Sequence, residues 1–166
     1  SRFLRNESWS FDRVDAAQVP ECLFFLDDWC VSHGCEQDPR LDYEVEALRA
    51  CLDRMDALGQ VAYVLRLDGR IVGLSLGEQM TADTFVVHYE KAYNDLDGAY
   101  QMLAREFARK VPADVAFIDR EQDMGVEGLR QSKLSFYPDH MQHCWVARPA
   151  GAIVTDPPGV PGPASP

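Results

Sequence analysis

The dipeptide Asp68-Gly69 narrows the fold more than any other feature of the chain. A two-residue type I′ turn needs positive φ at both central residues, and Asp-Gly is a pair that tolerates it. On either side lie VAYVLRL and IVGLSLG, β-branched and apolar, so two antiparallel strands are predicted around the turn. Thr84 to Lys91 reads as a third strand, with Phe85, Val87 and Tyr89 on one side and Val86, His88 and Glu90 on the other.

Helices flank this meander. Val19, Cys22, Leu23, Leu26, Trp29, Cys30 and His33 recur at three- and four-residue steps along one face, and Gly34 supplies the stop. Asp38-Pro39 opens a second helix whose stripe is Leu41, Val45, Leu48, Leu52 and Met55, closed by Gly59. Asp97 is placed to cap a third, with Tyr100, Leu103, Ala104, Phe107, Ala108 and Val111 inward and Pro112 preventing continuation. Val115 to Ile118 is expected as a short buried strand, Gly125 to Lys133 as a short helix, and Met141, His143, Trp145 and Ala147 as alternating positions of a last strand. The resulting order, α-α-β-β-β-α-β-α-β, is a mixed layout in which helices cover one twisted sheet.

At 166 residues one domain is expected, ending near Arg148, with a Pro/Gly-rich flexible tail over 149–166. Sixteen basic against 27 acidic side chains give −11, which argues against nonspecific binding to a phosphate backbone. No apolar run approaches the roughly 20 residues of a membrane span. The five cysteines, Cys22, Cys30, Cys35, Cys51 and Cys144, form no CxxC pair and are expected as reduced packing residues in a cytosolic setting.

Several patterns invite chemistry. Gly73-Leu74-Ser75-Leu76-Gly77 matches G-x-S-x-G, but a nucleophile elbow needs a strand-to-helix turn and this serine sits inside a hairpin strand. His140, His143 and Cys144 would alternate along a strand, so no zinc is expected. Asp119-Arg120-Glu121-Gln122-Asp123 follows directly on an apolar strand, where ligand sites of α/β sheets tend to lie. Arg130 and Lys133 share a helical face and add positive charge, which suggests an anion pocket. An ion-pair network tying Arg120 to Glu90 or Asp123 explains the same residues structurally, and the sequence leaves both readings open.

Three pieces carry a resemblance: His88-Tyr89-Glu90-Lys91-Ala92, Asp97-Gly98-Ala99-Tyr100-Gln101, and Arg120-Glu121-Gln122-Asp123-Met124-Gly125 with Leu129-Arg130 and Lys133-Leu134-Ser135. Over roughly residues 59 to 140 the chain resembles the carboxyl-terminal catalytic region of phosphatidylglycerol lysyltransferases and their soluble relatives, a family of tandem GNAT-like domains. The resemblance implies an α/β (α+β) GNAT-like acyltransferase fold, a mixed twisted central sheet with helices on both faces, and places this chain as the second half of the tandem. It also implies aminoacyl transfer from aminoacyl-tRNA to a hydroxyl or amine acceptor. Glu90 or Asp123 would bind the cationic amine, while Arg120, Arg130 and Lys133 would hold tRNA phosphate or the oxyanion. Glu121 or Glu90 would serve as base with His88 in reserve, and Lys91 and Asp97 join the substrate-binding set.

No cofactor is expected. Acetyl-CoA is disfavoured because Asn94-Asp95-Leu96-Asp97-Gly98-Ala99 turns two carboxylates toward the place where a pyrophosphate would sit. Expected partners are the missing amino-terminal GNAT-like half or a second copy of the chain. The expected location is cytoplasmic, with peripheral contact at the inner membrane only for a lipid acceptor, whose anionic headgroups a charge of −11 would repel. The competing readings are a catalytically degenerate half that docks or supports a partner, and a CoA-dependent N-acetyltransferase.

Overall fold

The computed structural model describes residues 8–123 and 125–141. The chain divides into two compact units, the first ending at Asp119 and the second beginning at Arg120. In the first unit five strands form one sheet in the order β1-β2-β3-β4-β5. They are β1 (Trp9–Arg13), β2 (Gln60–Leu67), β3 (Arg70–Gln79), β4 (Thr84–Ala92) and β5 (Phe117–Asp119). The first four pair antiparallel and β5 joins β4 in parallel. Helices α1 (Val19–His33), α2 (Pro39–Leu52), α3 (Met55–Leu58) and α4 (Ala99–Ala108) complete this unit.

Two apolar layers sandwich the sheet. Cys22, Phe25, Leu26 and Trp29 of α1 and Val45, Leu48 and Leu52 of α2 pack on Ala62, Val64, Leu74 and Leu76. On the opposite face Ala99, Met102 and Leu103 of α4 meet Leu65, Val72 and Ala92, and Phe107 meets Phe85 and Val87. The hairpin turn is as predicted, with Asp68 at φ 51° and Gly69 at φ 80°. Gly34 ends α1 in the left-handed region, and Asp38 caps α2 by accepting from the Arg40 amide at 3.0 Å.

Other expectations need correction. Strand β1 was not anticipated from the sequence: WSFDR is short and half polar, and only Trp9 and Phe11 turn inward beside the α4 layer. The second stripe is broken after Leu52, and Gly59 closes the separate short α3. Gly98 at φ 87°, with no side-chain cap, occupies the N-cap position of α4 that Asp97 was expected to hold. Strand β5 is Phe117–Asp119 rather than a buried Val115–Ile118. Among the described residues it lies at the edge of the sheet, joined to β4 by three residue pairs, with Phe117 and Ile118 46% and 40% exposed. Cys30 and Cys35 are not thiols: the turn at Gly34 brings their Cα atoms to 5.0 Å and a disulfide joins them. Cys22 and Cys51 are free.

The second unit contains α5 (Glu127–Leu134), near the helix predicted over 125–133. The predicted last strand lies outside the described residues except for Met141, which belongs to no regular element, and the tail over 149–166 also lies outside them. Among the described residues no helix is long and apolar enough to cross a membrane.

One ion pair ties three parts of the first unit together. Arg66 of β2 meets both carboxylate oxygens of Glu21 on α1 at 2.6 Å and donates to the Gly69 carbonyl at 2.9 Å. The Arg66 guanidinium holds the Glu21 carboxyl below its usual range. A depressed folded-state pKa stabilises above the unfolded value, about 4.3, and the contribution is lost as pH falls through the folded value. Urea denaturation between pH 7 and pH 3 is therefore expected to show a steeper acid loss in the native chain than in Glu21→Gln.

Candidate functional site

The pairing of β3 with β4 is irregular at one point. Leu76 of β3 pairs with Tyr89, but the next residue, Gly77, pairs with Val87, so His88 is an extra residue on β4. This is a β-bulge. A side chain at position 77 would place Cβ 2.2 Å from the Val86 carbonyl oxygen, so only glycine admits the approach. Gly77→Ala is expected to lower stability by about 3 kcal/mol, at the upper end for forced overpacking, as read by the urea midpoint.

The bulge reverses the alternation predicted for β4. Tyr89 joins the α1–α2 side with Leu74 and Leu76, while Glu90 falls opposite Ser75 and shares the α4 side with Val87 and Ala92. Ser75 lies in mid-strand and fully buried, with no hydrogen-bond partner for its Oγ. That is no nucleophile elbow. His88 places Nε2 2.8 Å from Glu78 Oε1 on β3, both half-buried. Glu78 is opposite Gln60 in the β2 register. Burial pushes the nearby Cys51 thiol up, a hydrogen bond from Gln60 opposes this, and the Glu78 charge adds to the rise.

Lys91 points to the α1–α2 side and is only 4% exposed. Its Nζ lies 2.8 Å from Glu44 Oε2 on α2 and 4.4 Å from the centroid of the Trp29 ring. Such a cation is held by charge pairing and the ring face together. Trp29 Nε1 donates to the Ala92 carbonyl at 2.9 Å, so α1 and α2 both grip the carboxyl end of β4. Beyond it, Tyr93, Asn94 and Asp95 join Asp28, His33 and Arg70 around an open groove of about 720 Å³. Asp68 of the hairpin turn also lines it. Asp97 stands just before Gly98, the N-cap of α4.

The second unit gathers the other predicted residues into one knot. Lys133 Nζ donates to the backbone carbonyls of Arg120, Gln122 and Glu121 at 2.5, 2.6 and 3.1 Å. Arg130 Nε meets Asp123 Oδ2 at 2.6 Å, and Asp123 Oδ1 accepts from the Gly125 amide at 2.9 Å. The guanidinium and that amide hold the Asp123 carboxyl below its usual range. The Arg120 guanidinium lies 4.2 Å from the centroid of the Phe136 ring, and Glu121 adopts a left-handed φ of 55°. These contacts fix the loop before α5, so Arg130 and Lys133 already perform structural work there. His88, Glu90, Lys91 and Asp97 belong to the first unit and Arg120, Glu121, Asp123, Arg130 and Lys133 to the second.

Sequence reasoning missed Glu78, Glu44 and Trp29 as partners of predicted residues. Glu78 directly follows the GLSLG strand, but its match with His88 depends on a register slip that no periodicity shows. Lys133→Met removes all three carbonyl contacts. Hydrogen exchange over residues 120–134 is expected to rise about tenfold in that variant, with exchange in β2 and β3 unchanged.

Among solved structures, a conserved protein of unknown function from Bacteroides thetaiotaomicron VPI-5482 is similar at 35% identity with a TM-score of 0.81. The match covers 84% of this chain and 48% of that one, so this chain spans about half its length. Ribosomal-protein-alanine N-acetyltransferase from Brucella melitensis biovar Abortus 2308 has 15% identity and a TM-score of 0.61, over 85% of this chain and 99% of its own. An aminoglycoside acetyltransferase from an uncultured soil metagenomic sample has 12% identity and a TM-score of 0.61, over 86% and 98%. At these two identities the likeness is one of fold, and it is the GNAT acetyltransferase fold. The search of curated proteins finds no match. The family described as phosphatidylglycerol lysyltransferase, C-terminal, matches residues 1–148, and the chain belongs to that family.

Proposed function

We propose that the chain is an aminoacyltransferase-like domain, passing an aminoacyl group from aminoacyl-tRNA to a hydroxyl or amine acceptor. Family and fold support acyl transfer, and one observation carries the local reading: the His88–Glu78 pair, 2.8 Å apart at the β4 bulge. In this reading the acceptor oxygen or nitrogen attacks the ester carbonyl, and the imidazole of His88 takes its proton. Glu78 orients the ring and stabilises the imidazolium, the role a carboxylate plays beside a histidine base. The ester C–O bond then breaks, and the departing ribose oxygen takes that proton from the His88 imidazolium.

Glu90, which faces the α4 side of β4 rather than the side of the His88–Glu78 pair, stands as the alternative carboxylate for the cationic amine or for the base. Within the second unit Arg130 is held by Asp123 and Lys133 by the carbonyls of Arg120, Glu121 and Gln122, and the transfer reading does not draw on that unit. The remaining half of a longer relative, or a second copy of the chain, completes the reaction centre. Carboxylates Asp28, Asp68 and Asp95 around the groove beside the β4–α4 loop disfavour a pyrophosphate there, which places CoA-dependent N-acetylation second to aminoacyl transfer.

The test is transfer of a radiolabelled aminoacyl group from charged tRNA to hydroxyl and amine acceptors by the whole chain, alone and with the other half. His88→Asn and Glu78→Gln are each expected to lower transfer at least about 100-fold, the scale of a general base, with an unchanged urea midpoint. Transfer at the native rate in both variants overturns this assignment. A second reading, a docking or structural half, is favoured by the engagement of Arg130 and Lys133 within their own unit. Undetectable transfer under every pairing would select it. Acetyl-CoA is expected to leave the melting temperature unchanged, since only a ligand that binds the native state raises it.

A further inference from the structure

We propose that Cys30 and Cys35 form a reversible thiol–disulfide modification site, and that its oxidation state sets the firmness of the groove wall beside the β4–α4 loop. The inference deepens the functional reading by adding regulation. It rests on that reading only for its consequence for catalysis.

The pairing is selective. One disulfide joins the last turn of α1 to the 3₁₀ turn at Cys35–Gln37, while Cys22 and Cys51 are thiols in the same fold. Two of the four described cysteines, Cys22 and Cys51, stay thiols within or beside the core, so the pairing is confined to this one turn. The bridge also spans only five positions, and closing so short a stretch restrains the unfolded chain least. Helix α1 has other anchors: Phe25, Leu26 and Trp29 are buried against the sheet, and Arg49 of α2 meets Asp27 at 2.7 Å. The fold therefore stands without the bond.

What the bond does constrain is the segment it encloses. His33 stacks on Trp29 with ring centroids 4.0 Å apart, and its Nδ1 is 2.9 Å from the Trp29 carbonyl oxygen and 2.9 Å from Ser32 Oγ. With Nδ1–H donating to that carbonyl, Nε2 accepts from Asn94 Nδ2 at 2.8 Å. This hydrogen bond joins the end of α1 to the loop between β4 and α4, alongside the edge-on contact of Phe25 with Tyr93, 5.2 Å between ring centroids. His33, Ser32, Tyr93, Asn94 and Asp95 all line the groove. Cleaving the bridge leaves the turn at Gly34 held only by its backbone hydrogen bonds, the Gly34 amide to the Cys30 carbonyl among them, so the His33–Asn94 tie loosens while the Trp29 contacts to Ala92 and Lys91 persist.

The co-reactant is a dithiol. Cys35 is only 3% exposed and Cys30 is half-buried, so a reductant thiolate attacks the Cys30 sulfur. The S–S bond breaks, Cys35 leaves as a thiolate and takes up a proton. The second thiol of the reductant then displaces Cys30 as a thiol, and the reductant departs as its own disulfide. Two electrons and two protons pass to the protein, and oxidation by a disulfide of the same class reverses the step.

The test uses the intact chain with dithiothreitol as the dithiol. Air-oxidised protein, alkylated in denaturant without reductant, is expected to carry label on Cys22 and Cys51 and none on Cys30 or Cys35. After native-state treatment with dithiothreitol both become labelled. Hydrogen exchange over residues 93–98 is expected to rise about fivefold on reduction while β2 and β3 stay unchanged, as for a local rather than global opening. A double Cys30→Ser, Cys35→Ser variant should show the reduced-state exchange with or without reductant. Labelling of Cys30 and Cys35 before reduction, a bond that dithiothreitol cannot cleave in the native protein, or unchanged exchange at 93–98 would each overturn the proposal. If these readouts behave as expected and neither redox state transfers an aminoacyl group, the functional reading fails and the switch stands.

Discussion

The contact on which the rest depends is the approach of the Gly77 backbone to the Val86 carbonyl. It allows β4 to carry one residue more than β3 opposite it, and the slip has three consequences. His88 is set beside Glu78. Glu90 turns to the α4 side. Tyr89 and Lys91 turn to the α1–α2 side, where Trp29 and Glu44 receive the ammonium group. Without the slip, strict alternation would send Lys91 toward α4 and Glu90 among apolar residues beneath α1 and α2. Burying an unpaired carboxylate there would cost several kcal/mol, so the bulge and the apolar layers are one solution to a single packing problem.

Much of this fold is written in local chemistry. Positive φ at Asp68 and Gly69, the Gly34 stop and the Asp38 cap depend on one or two residues each, and all are legible without knowing the fold. The GNAT-like layering follows from element order, and the family from motif pieces that strand and helix periodicity alone does not explain. Less legible are features set by distant partners. WSFDR becomes a strand only because β2 offers an edge to it. Asp97 yields the α4 N-cap to Gly98, since the chain needs φ 87° at that point. Cys30 and Cys35 look like ordinary packing residues until the turn between them is known.

The candidate site divides along the same line. Clustering of Arg120, Glu121, Asp123, Arg130 and Lys133 could be expected from their spacing, and the second unit does gather them. Sequence could not say that Lys133 would spend its three donors on backbone carbonyls, because those acceptors exist only once the loop has its left-handed turn at Glu121. Nor could it pair His88 with Glu78, residues ten apart on neighbouring strands. A residue's type is visible in sequence; the partner that decides its role is a property of register.

Among the described residues strand β5 joins β4 through three residue pairs, with Phe117 and Ile118 about half covered. Neither helical layer loses its packing if that strand lifts away. Its junction with β4 is one zone from which the first unit can open locally, at a free energy below that of global unfolding. The inner strands β2 and β3, covered on both faces, would then act as the frame, and a chain caught with β5 detached would still be recognisably folded.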